Sequence, residues 1–164
     1  MTMTMTETAP SDTAYTAAVA RLLRDRAATR DALLPLLHAL QDEFGYIADP
    51  MIPVVAAALN LSRADVHGVV TFYHDFRRTP AGAHVVRLCR AESCQARGAV
   101  AIEQIATQRL GVAMGATRAD GRVTVEPVYC LGLCATGPNA MVDGRPVSRL
   151  DAAKIERIAA AVLA

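Results

Sequence analysis

A β-prone run leads directly into a pair of cysteines in residues 84–94, which read HVVRLCRAESC. Residues 84–88 are rich in valine and leucine and have the length of a short buried strand. Cys89 ends that run, and Cys94 follows after four intervening residues. A loop that leaves a strand can present side chains from a rigid base. The segment therefore predicts the first strand of a sheet and one half of a thiol site.

A second strand followed by a cysteine pair lies at residues 122–134, RVTVEPVYCLGLC. Val123 and Val125 alternate with polar residues, which predicts a strand with valines on one face. Cys130 and Cys134 come after it with Gly132 between them, where the backbone can pass close to a bound group. Two pairs at equivalent positions after strands favour one shared centre over four unrelated thiols.

The rest of the second half predicts further elements of a small α/β unit. Residues 95–110 have a helical period through Val100, Ile105 and Leu110. Two short β-prone runs, 140–142 and 145–147, flank Asp143-Gly144, a strong hairpin signal. Asp151 is a typical cap for the closing helix. The order β-α-β-loop-β-β-α is that of a small thioredoxin-like sheet with helices packed on it.

The first half is predicted to be helical from about residue 14 to residue 79. Asp49-Pro50 is a natural cap and first-turn pair, and Ser62 with Asp65 three positions later is close to a capping box. Gly45 is a typical helix end. The helix before it has an apolar stripe of Leu33, Leu36, Leu37, Leu40 and Phe44.

These patterns predict an α+β chain with three parts. Residues 1–13, MTMTMTETAPSDT, are predicted to be a disordered tail. Residues 14–79 form an N-terminal helical bundle with a docking role, and residues 80–164 form the thioredoxin-like α/β domain. Thr79-Pro80-Ala81-Gly82 is the turn-forming stretch between them.

Composition excludes several classes of function. The formal net charge is +1, so no basic surface indicates nucleic acid. No apolar run approaches the ~20 residues that cross a bilayer, which argues against direct membrane insertion. The start lacks the pattern of an export signal, which predicts a cytoplasmic protein with reduced thiols. The absence of G-x-G-x-x-G and of a P-loop predicts that nucleotides bind elsewhere.

The four cysteines have three chemical interpretations. A [2Fe–2S] cluster needs two thiolates on each iron, and the two pairs supply them. Arg87, Arg90 and Arg97, together with a helix predicted to start just after Cys94, would favour a negatively charged cluster. Zinc in an interaction module usually has closer spacing, and a thiol reductase usually has C-x-x-C, so both are weaker alternatives.

No other side chains form a pattern that indicates catalysis. Phe72, Tyr73 and Phe76 have helical spacing and are expected in the core, with an interface to a partner subunit as the alternative. The acidic residues suggest no general acid–base pair, so no catalytic residue is predicted. The histidines are scattered and predict no ligand pair; they are His38, His67, His74 and His84.

Three motifs together resemble those of a known family. They are Q-x-x-F-G-Y-I at 41–47, H-G-V-V-T-F-Y-x-x-F at 67–76, and the two cysteine pairs with Asp120-Gly121 between them. With these motifs the chain is similar, over roughly residues 20 to 163, to the thioredoxin-like [2Fe–2S] subunits of NADH-linked dehydrogenases. That family includes the small iron–sulfur subunit of respiratory NADH dehydrogenase, the diaphorase subunit of bidirectional hydrogenases and the gamma subunit of NAD-dependent formate dehydrogenase.

The resemblance implies a cofactor, ligands and partners. It implies that Cys89 and Cys94 bind one iron of a [2Fe–2S] cluster and that Cys130 and Cys134 bind the other. The loop from Tyr129 through the second pair looks most similar to that of the formate dehydrogenase gamma subunit. The implied role is then a non-catalytic electron-transfer subunit. Its partners would be a flavin- and NAD-binding subunit and a catalytic subunit with molybdenum or tungsten. The respiratory and hydrogenase complexes are the alternatives.

Overall fold

A computed structural model describes residues 11–24 and 28–164. The chain divides into a helical unit that ends at Pro80 and a unit with a sheet that begins at Ala81. Helices followed by a mixed sheet confirm the predicted α+β class. Residues 1–10 of the predicted tail lie outside the described residues. Asp12 and Thr13 belong to a helix instead, because the Ser11 side chain accepts a hydrogen bond from the Ala14 amide and caps it.

The helical unit consists of four helices around an apolar core. Leu37, Leu40, Met51, Val55 and Val66 are each fully buried there. No helix of the described residues is long and apolar enough to cross a membrane. The helices are α1 (Asp12–Leu22), α2 (Leu33–Phe44), α3 (Met51–Ala58) and α4 (Arg63–Phe72), and a 3-10 turn at Arg30–Ala32 precedes α2.

The predicted helix ends are partly right. Gly45 ends α2 in the left-handed conformation, at φ 80°, as its position predicts. Asp49 does not cap α3: the residue before the helix is Pro50, which makes no side-chain cap. The Asp49 carboxylate pairs with Arg78 instead. An ion pair therefore stands where the sequence predicted a cap.

The capping box at Ser62 gives a first testable prediction. Ser62 Oγ accepts from the Asp65 amide at 3.0 Å, and the Ser62 amide donates to Asp65 Oδ2 at 3.3 Å, which completes the box. Ser62 Oγ also donates to Asp65 Oδ2 at 2.7 Å. These bonds from Ser62 lower the pKa of Asp65. The cap therefore contributes fully above the ordinary carboxyl pKa and weakens as the pH falls through the lowered value. We expect Ser62→Ala to destabilise α4 by about 1 kcal/mol.

Carboxyl NMR titration of Asp65 measures this directly. Its pKa should rise towards the ordinary value in Ser62→Ala. A matched control is Ser148→Ala, which leaves the box intact and should leave the pKa of Asp65 unchanged. An Asp65 pKa equal in wild type and Ser62→Ala would contradict the assignment.

The second unit is built on a five-stranded sheet in the order β2-β3-β1-β4-β5. Strands β1 and β3 run parallel, and the other pairs are antiparallel. A crossover through two helices joins β1 to β3, as parallel neighbours require. The strands are β1 (His84–Cys89), β2 (Ala116–Thr117), β3 (Val123–Val128), β4 (Ala140–Val142) and β5 (Arg145–Val147).

Helices pack on one face of this sheet. Val86 of β1 and Val125 of β3 point into a core with Leu110 of α6 (Ala99–Leu110) and Ile155 of α7 (Ala152–Leu163). Asp151 caps α7 by accepting from the Lys154 amide at 2.7 Å, as predicted. The Asp143-Gly144 turn joins β4 to β5 with both residues at positive φ, which confirms the predicted hairpin.

The helix predicted at residues 95–110 is wrong in its start and in one of the three residues of its predicted period, Val100; Leu110 is in the core and Ile105 packs against it. The structure has a short α5 (Glu92–Gln95) and then α6 from Ala99, separated by Gly98 at φ 88°. Glycine takes this left-handed conformation without strain, so it breaks the helical run. Val100 is 54% exposed, and Ala106 is buried with Leu110. The two-residue β2 was not predicted because its length leaves no periodicity.

Candidate metal centre

The two cysteine loops meet because their strands are parallel neighbours. In the register of β1 with β3, Cys89 is the partner of Val128. The loops that leave these strands therefore start at the same edge of the sheet, and Cys130 follows Val128 by two residues. Strand pairing between distant segments thus brings the two predicted cysteine pairs to one place.

The first pair is buried. Cys89 ends β1 and is 3% exposed, and Cys94 lies within α5 and is 1% exposed. The expectation that a helix starting after Cys94 aims free amides at the thiols is wrong. The amides of Cys94 and Gln95 donate to the Ala91 carbonyl at 2.9 and 3.0 Å, so the turn itself uses them.

The second pair is exposed and held by an unusual backbone. Cys130 has φ 120°, a positive value that non-glycine residues rarely adopt. Cys134 is the first residue of a 3-10 turn, Cys134–Thr136. The two sulfurs lie 3.7 Å apart, and the Gly132 amide is 3.3 Å from Cys130 Sγ and donates to it. Gly132 itself has φ 73°.

The thiols influence one another's ionisation. Burial raises the pKa of Cys94, and the neighbouring Cys89 thiol raises it further, while the Asn139 backbone amide lowers it in part. The Cys130 thiol raises the pKa of Cys134, with a smaller contribution from Cys89. This mutual effect agrees with the register of β1 with β3, which starts both cysteine loops at one edge of the sheet. A positively charged metal would relieve the repulsion among their thiolates.

Two residues that the sequence analysis did not single out join the loops. Ser93 Oγ donates to the Cys134 carbonyl at 3.4 Å. Asn139 is 2% exposed, and its Nδ2 donates to Cys94 Sγ at 3.7 Å and to the Leu133 carbonyl at 2.7 Å. The sequence could not predict this role of Asn139, because its partner Cys94 is 45 residues away.

The predicted cluster of positive charge is largely neutralised. Arg87 pairs with Glu126 at 3.0 Å, and Arg90 pairs with Glu103 at 3.1 Å. Arg97 is exposed and lies beside the second loop: a Cβ added to Gly137 would be 3.1 Å from Arg97 Cδ. The structure places the arginines near the loop, but the carboxylates of Glu126 and Glu103 offset the positive charge of Arg87 and Arg90 that the prediction counted on.

Residues away from the cysteines give a mixed outcome for the predictions. His38 faces Asp75, and His84 lies 2.8 Å from Asp143, so these two histidines have carboxylate partners. Phe76 is buried as predicted. Phe72 is 73% exposed and Tyr73 43% exposed, so their predicted place in the core is wrong. Helix α4 ends at Phe72, which removes Tyr73 from the helical period.

The donor set fits an iron–sulfur cluster. Two sulfurs on a tetrahedral metal at about 2.3 Å lie about 3.7 Å apart, the separation of Cys130 and Cys134. Across residues 11–24 and 28–164, no three or more His, Cys, Asp or Glu side chains are placed to hold one metal ion. Two pairs suit a cluster with two thiolates for each iron, whereas a lone zinc would need all four around one point.

Fold and site together define an iron–sulfur protein of the ferredoxin class. The profile of the thioredoxin-like [2Fe-2S] ferredoxin family matches residues 19–163. The chain belongs to this family, and its cofactor is a [2Fe–2S] cluster. The predicted cofactor and the predicted thioredoxin-like fold are thereby confirmed, and the zinc interpretation is not supported. The assignment of individual cysteines to the irons stays a prediction.

Similar proteins come from several bacteria. The E subunit of the NADH-quinone oxidoreductase of Pseudomonas aeruginosa is 37% identical over 114 residues, which are 70% of this chain and 69% of that protein. The corresponding protein of Escherichia coli is 38% identical over the same shares. NADH-quinone oxidoreductase subunit 2 of Thermus thermophilus is 32% identical over 136 residues, covering 82% of this chain and 75% of its own length.

A solved structure shares the fold. The crystal structure of an NAD+-reducing [NiFe]-hydrogenase in the air-oxidized state has a chain that superposes with a TM-score of 0.71 at 25% identity. The match covers 85% of the present chain and 24% of that hydrogenase chain. This chain therefore spans about a quarter of the hydrogenase chain.

Proposed function

We propose that this chain is an electron-transfer subunit of a multisubunit NAD-linked oxidoreductase, with formate dehydrogenase as the parent enzyme. In this proposal Cys89 and Cys94 hold one iron of the cluster, and Cys130 and Cys134 hold the other. The observation that carries it is the meeting of the four thiols at one edge of the sheet. The names of the relatives, which are subunits of NADH-quinone oxidoreductases, support the NAD link.

The cluster, when bound, takes up and releases one electron without a bond being made to substrate. The residues of the chain hold and orient it. Cys89 and Cys94 are buried, so water is excluded from the side of the site that they line. Cys130 and Cys134 are exposed to solvent. Electron exchange through the exposed pair follows from this asymmetry, because the exposed side lets a partner's cofactor approach more closely.

The choice of formate dehydrogenase rests on the second loop. Its sequence, YCLGLCATGPNAMV from Tyr129 to Val142, looks most similar to the gamma subunit of that enzyme. Respiratory members more often have alanine where Gly137 stands. Here a Cβ at Gly137 would be 3.3 Å from Cys94 Sγ and 3.1 Å from Arg97 Cδ, so alanine at this position would require these side chains to shift slightly.

The proposal includes partners and a compartment. A flavin- and NAD-binding subunit and a catalytic subunit with molybdenum or tungsten would complete the enzyme. The exposed aromatic rings of Phe72 and Tyr73, 5.1 Å apart, are the part of the helical unit best suited to contact a partner. Free cysteines suit a cytoplasmic setting, where thiols are kept reduced.

Purification of the native complex through a tag on this chain tests the proposal. The complex should reduce NAD+ with formate, and formate should produce the EPR signal of a reduced [2Fe–2S] cluster. Hydrogen-dependent NAD+ reduction would instead indicate the hydrogenase, and NADH-dependent quinone reduction the respiratory enzyme; either would overturn the choice of formate dehydrogenase. A complex with none of these activities would overturn the NAD-linked role itself.

A further inference from the structure

Asn139 is a buried polar residue at the centre of the cysteine site. It is 2% exposed, and the other buried polar residue among those the structure describes is Thr124, at 6%. Asn139 lies between the second cysteine loop and β4, and its backbone carbonyl accepts from the Cys89 amide at 3.0 Å. A buried amide needs hydrogen-bond partners, so its contacts show what the position requires.

The side chain of Asn139 satisfies its hydrogen bonds with both cysteine loops. Its Nδ2 donates to Cys94 Sγ at 3.7 Å and to the Leu133 carbonyl at 2.7 Å, so each amide proton has an acceptor. Its Oδ1 accepts from Thr136 Oγ1 at 3.4 Å. The bond to the Leu133 carbonyl fixes the orientation of the amide, because a flipped amide would place its oxygen against that carbonyl.

The side-chain bond from Asn139 to Cys94 is one of several contacts between nitrogen donors and cysteine sulfurs at the site. The backbone amide of Gly132 donates to the exposed Cys130, and the backbone amide of Asn139 itself acts on Cys94 and lowers its pKa. Cys94 is buried, and a hydrogen bond is stronger where water is excluded. A hydrogen bond to a cluster sulfur favours the reduced state, which carries more negative charge.

We propose that Asn139 is a positioning residue that orients Cys94 and raises the reduction potential of the cluster through the hydrogen bond from Nδ2 to Cys94 Sγ. The inference rests on the proposed role of Cys94 as a ligand. Asn139 itself takes up no proton or electron. On reduction the added electron resides on the cluster, and the hydrogen bond from Asn139 strengthens because the negative charge on Cys94 Sγ grows. Chains that lack an amide here should hold the same cluster at a lower potential.

Redox titration of the cluster-loaded full chain tests this inference. A net hydrogen bond of about 1 kcal/mol is a fivefold change in the reduced-to-oxidised ratio at a fixed potential. For a one-electron couple that is about 40 mV. We expect Asn139→Leu to lower the potential by this amount, and Asn139→Asp to lower it further, since a carboxylate adds negative charge and donates no bond.

The matched control is Gln95→Leu. Gln95 is next to Cys94, and its side-chain amide donates to the Arg90 carbonyl at 2.6 Å rather than to a sulfur. Its replacement should leave the potential unchanged. A normal cluster in Asn139→Leu at an unchanged potential would overturn the inference and leave the proposed function standing. A wild-type chain without a cluster would overturn both.

A measurement on the wild-type chain covers the case in which the Asn139 variants do not fold. The sequence contains two asparagines, Asn60 and Asn139, so 15N in the side-chain amide of asparagine labels two positions. Pulsed EPR of the reduced chain should show a 15N coupling. The coupling should persist in Asn60→Gly, where glycine suits the positive φ of 52°. The absence of a side-chain 15N coupling would contradict the hydrogen bond.

Discussion

Replacing Cys94 by alanine should remove the [2Fe–2S] cluster while the chain stays folded. Cys94 is 1% exposed and packs against Cys89 and Ala99 in a small group of buried side chains. Water therefore has little access to replace the missing sulfur as a ligand. An iron with one protein thiolate is not held, since each iron of the cluster needs two. Iron and acid-labile sulfide should fall from about two of each per chain to near zero.

The control for this prediction is Ser93→Ala in the neighbouring position. Ser93 donates to the Cys134 carbonyl at 3.4 Å but supplies no ligand, so its variant should keep iron, sulfide and colour. Far-UV circular dichroism of both variants checks that the helices and sheet remain. A Cys94→Ala chain with full iron and an unchanged EPR signal would show that Cys94 is not a ligand.

The largest expected effect on stability is that of Gly82→Ala. A Cβ at Gly82 would lie 2.8 Å from the Val123 nitrogen and 2.9 Å from the Gly121 oxygen. These are backbone atoms, so relief requires a shift of the start of β3 against β1. Such overpacking costs about 3 kcal/mol. For a unit of this size we expect the melting temperature to fall by about 15 °C. The visible absorbance of the [2Fe–2S] cluster monitors the transition.

Gly68→Ala is the matched control, because the same change should have the opposite sign. Gly68 lies in α4, and a Cβ there would meet nothing within 4 Å. Alanine in an exposed helix interior is more favourable than glycine by about 1 kcal/mol. The melting temperature of Gly68→Ala, measured by the circular dichroism of the helices, should be equal to or higher than that of the wild-type chain. A Gly82→Ala chain as stable as wild type would contradict the close approach of the backbones.

Local signals in the sequence predicted the elements that depend on neighbouring residues. The Ser62 capping box, the Gly45 helix end and the Asp143-Gly144 hairpin are each decided within a few residues, and the structure confirms them. The cysteine pairs were recognised for the same reason. Their spacing after two predicted strands was enough to indicate one centre.

The errors concern interactions between distant residues. Asp49 was expected to cap α3 and pairs with Arg78, which lies 29 positions away. Arg87 was expected to put positive charge near the first cysteine loop, and it pairs with Glu126, which lies 39 positions away. The partner of Asn139, Cys94, is equally remote in sequence. Periodicity contains no information about such pairs, because the tertiary packing of distant segments decides them, as the register of β1 with β3 does for Arg87 and Glu126.

The most direct test of the central claim is the iron and acid-labile sulfide content of the anaerobically purified full chain, with an EPR spectrum after dithionite reduction. The account predicts about two irons and two sulfides per chain and a rhombic signal at low temperature. Zinc in place of iron, without sulfide and without a signal, would contradict it and would leave a protein that uses its four cysteines only to stabilise the fold.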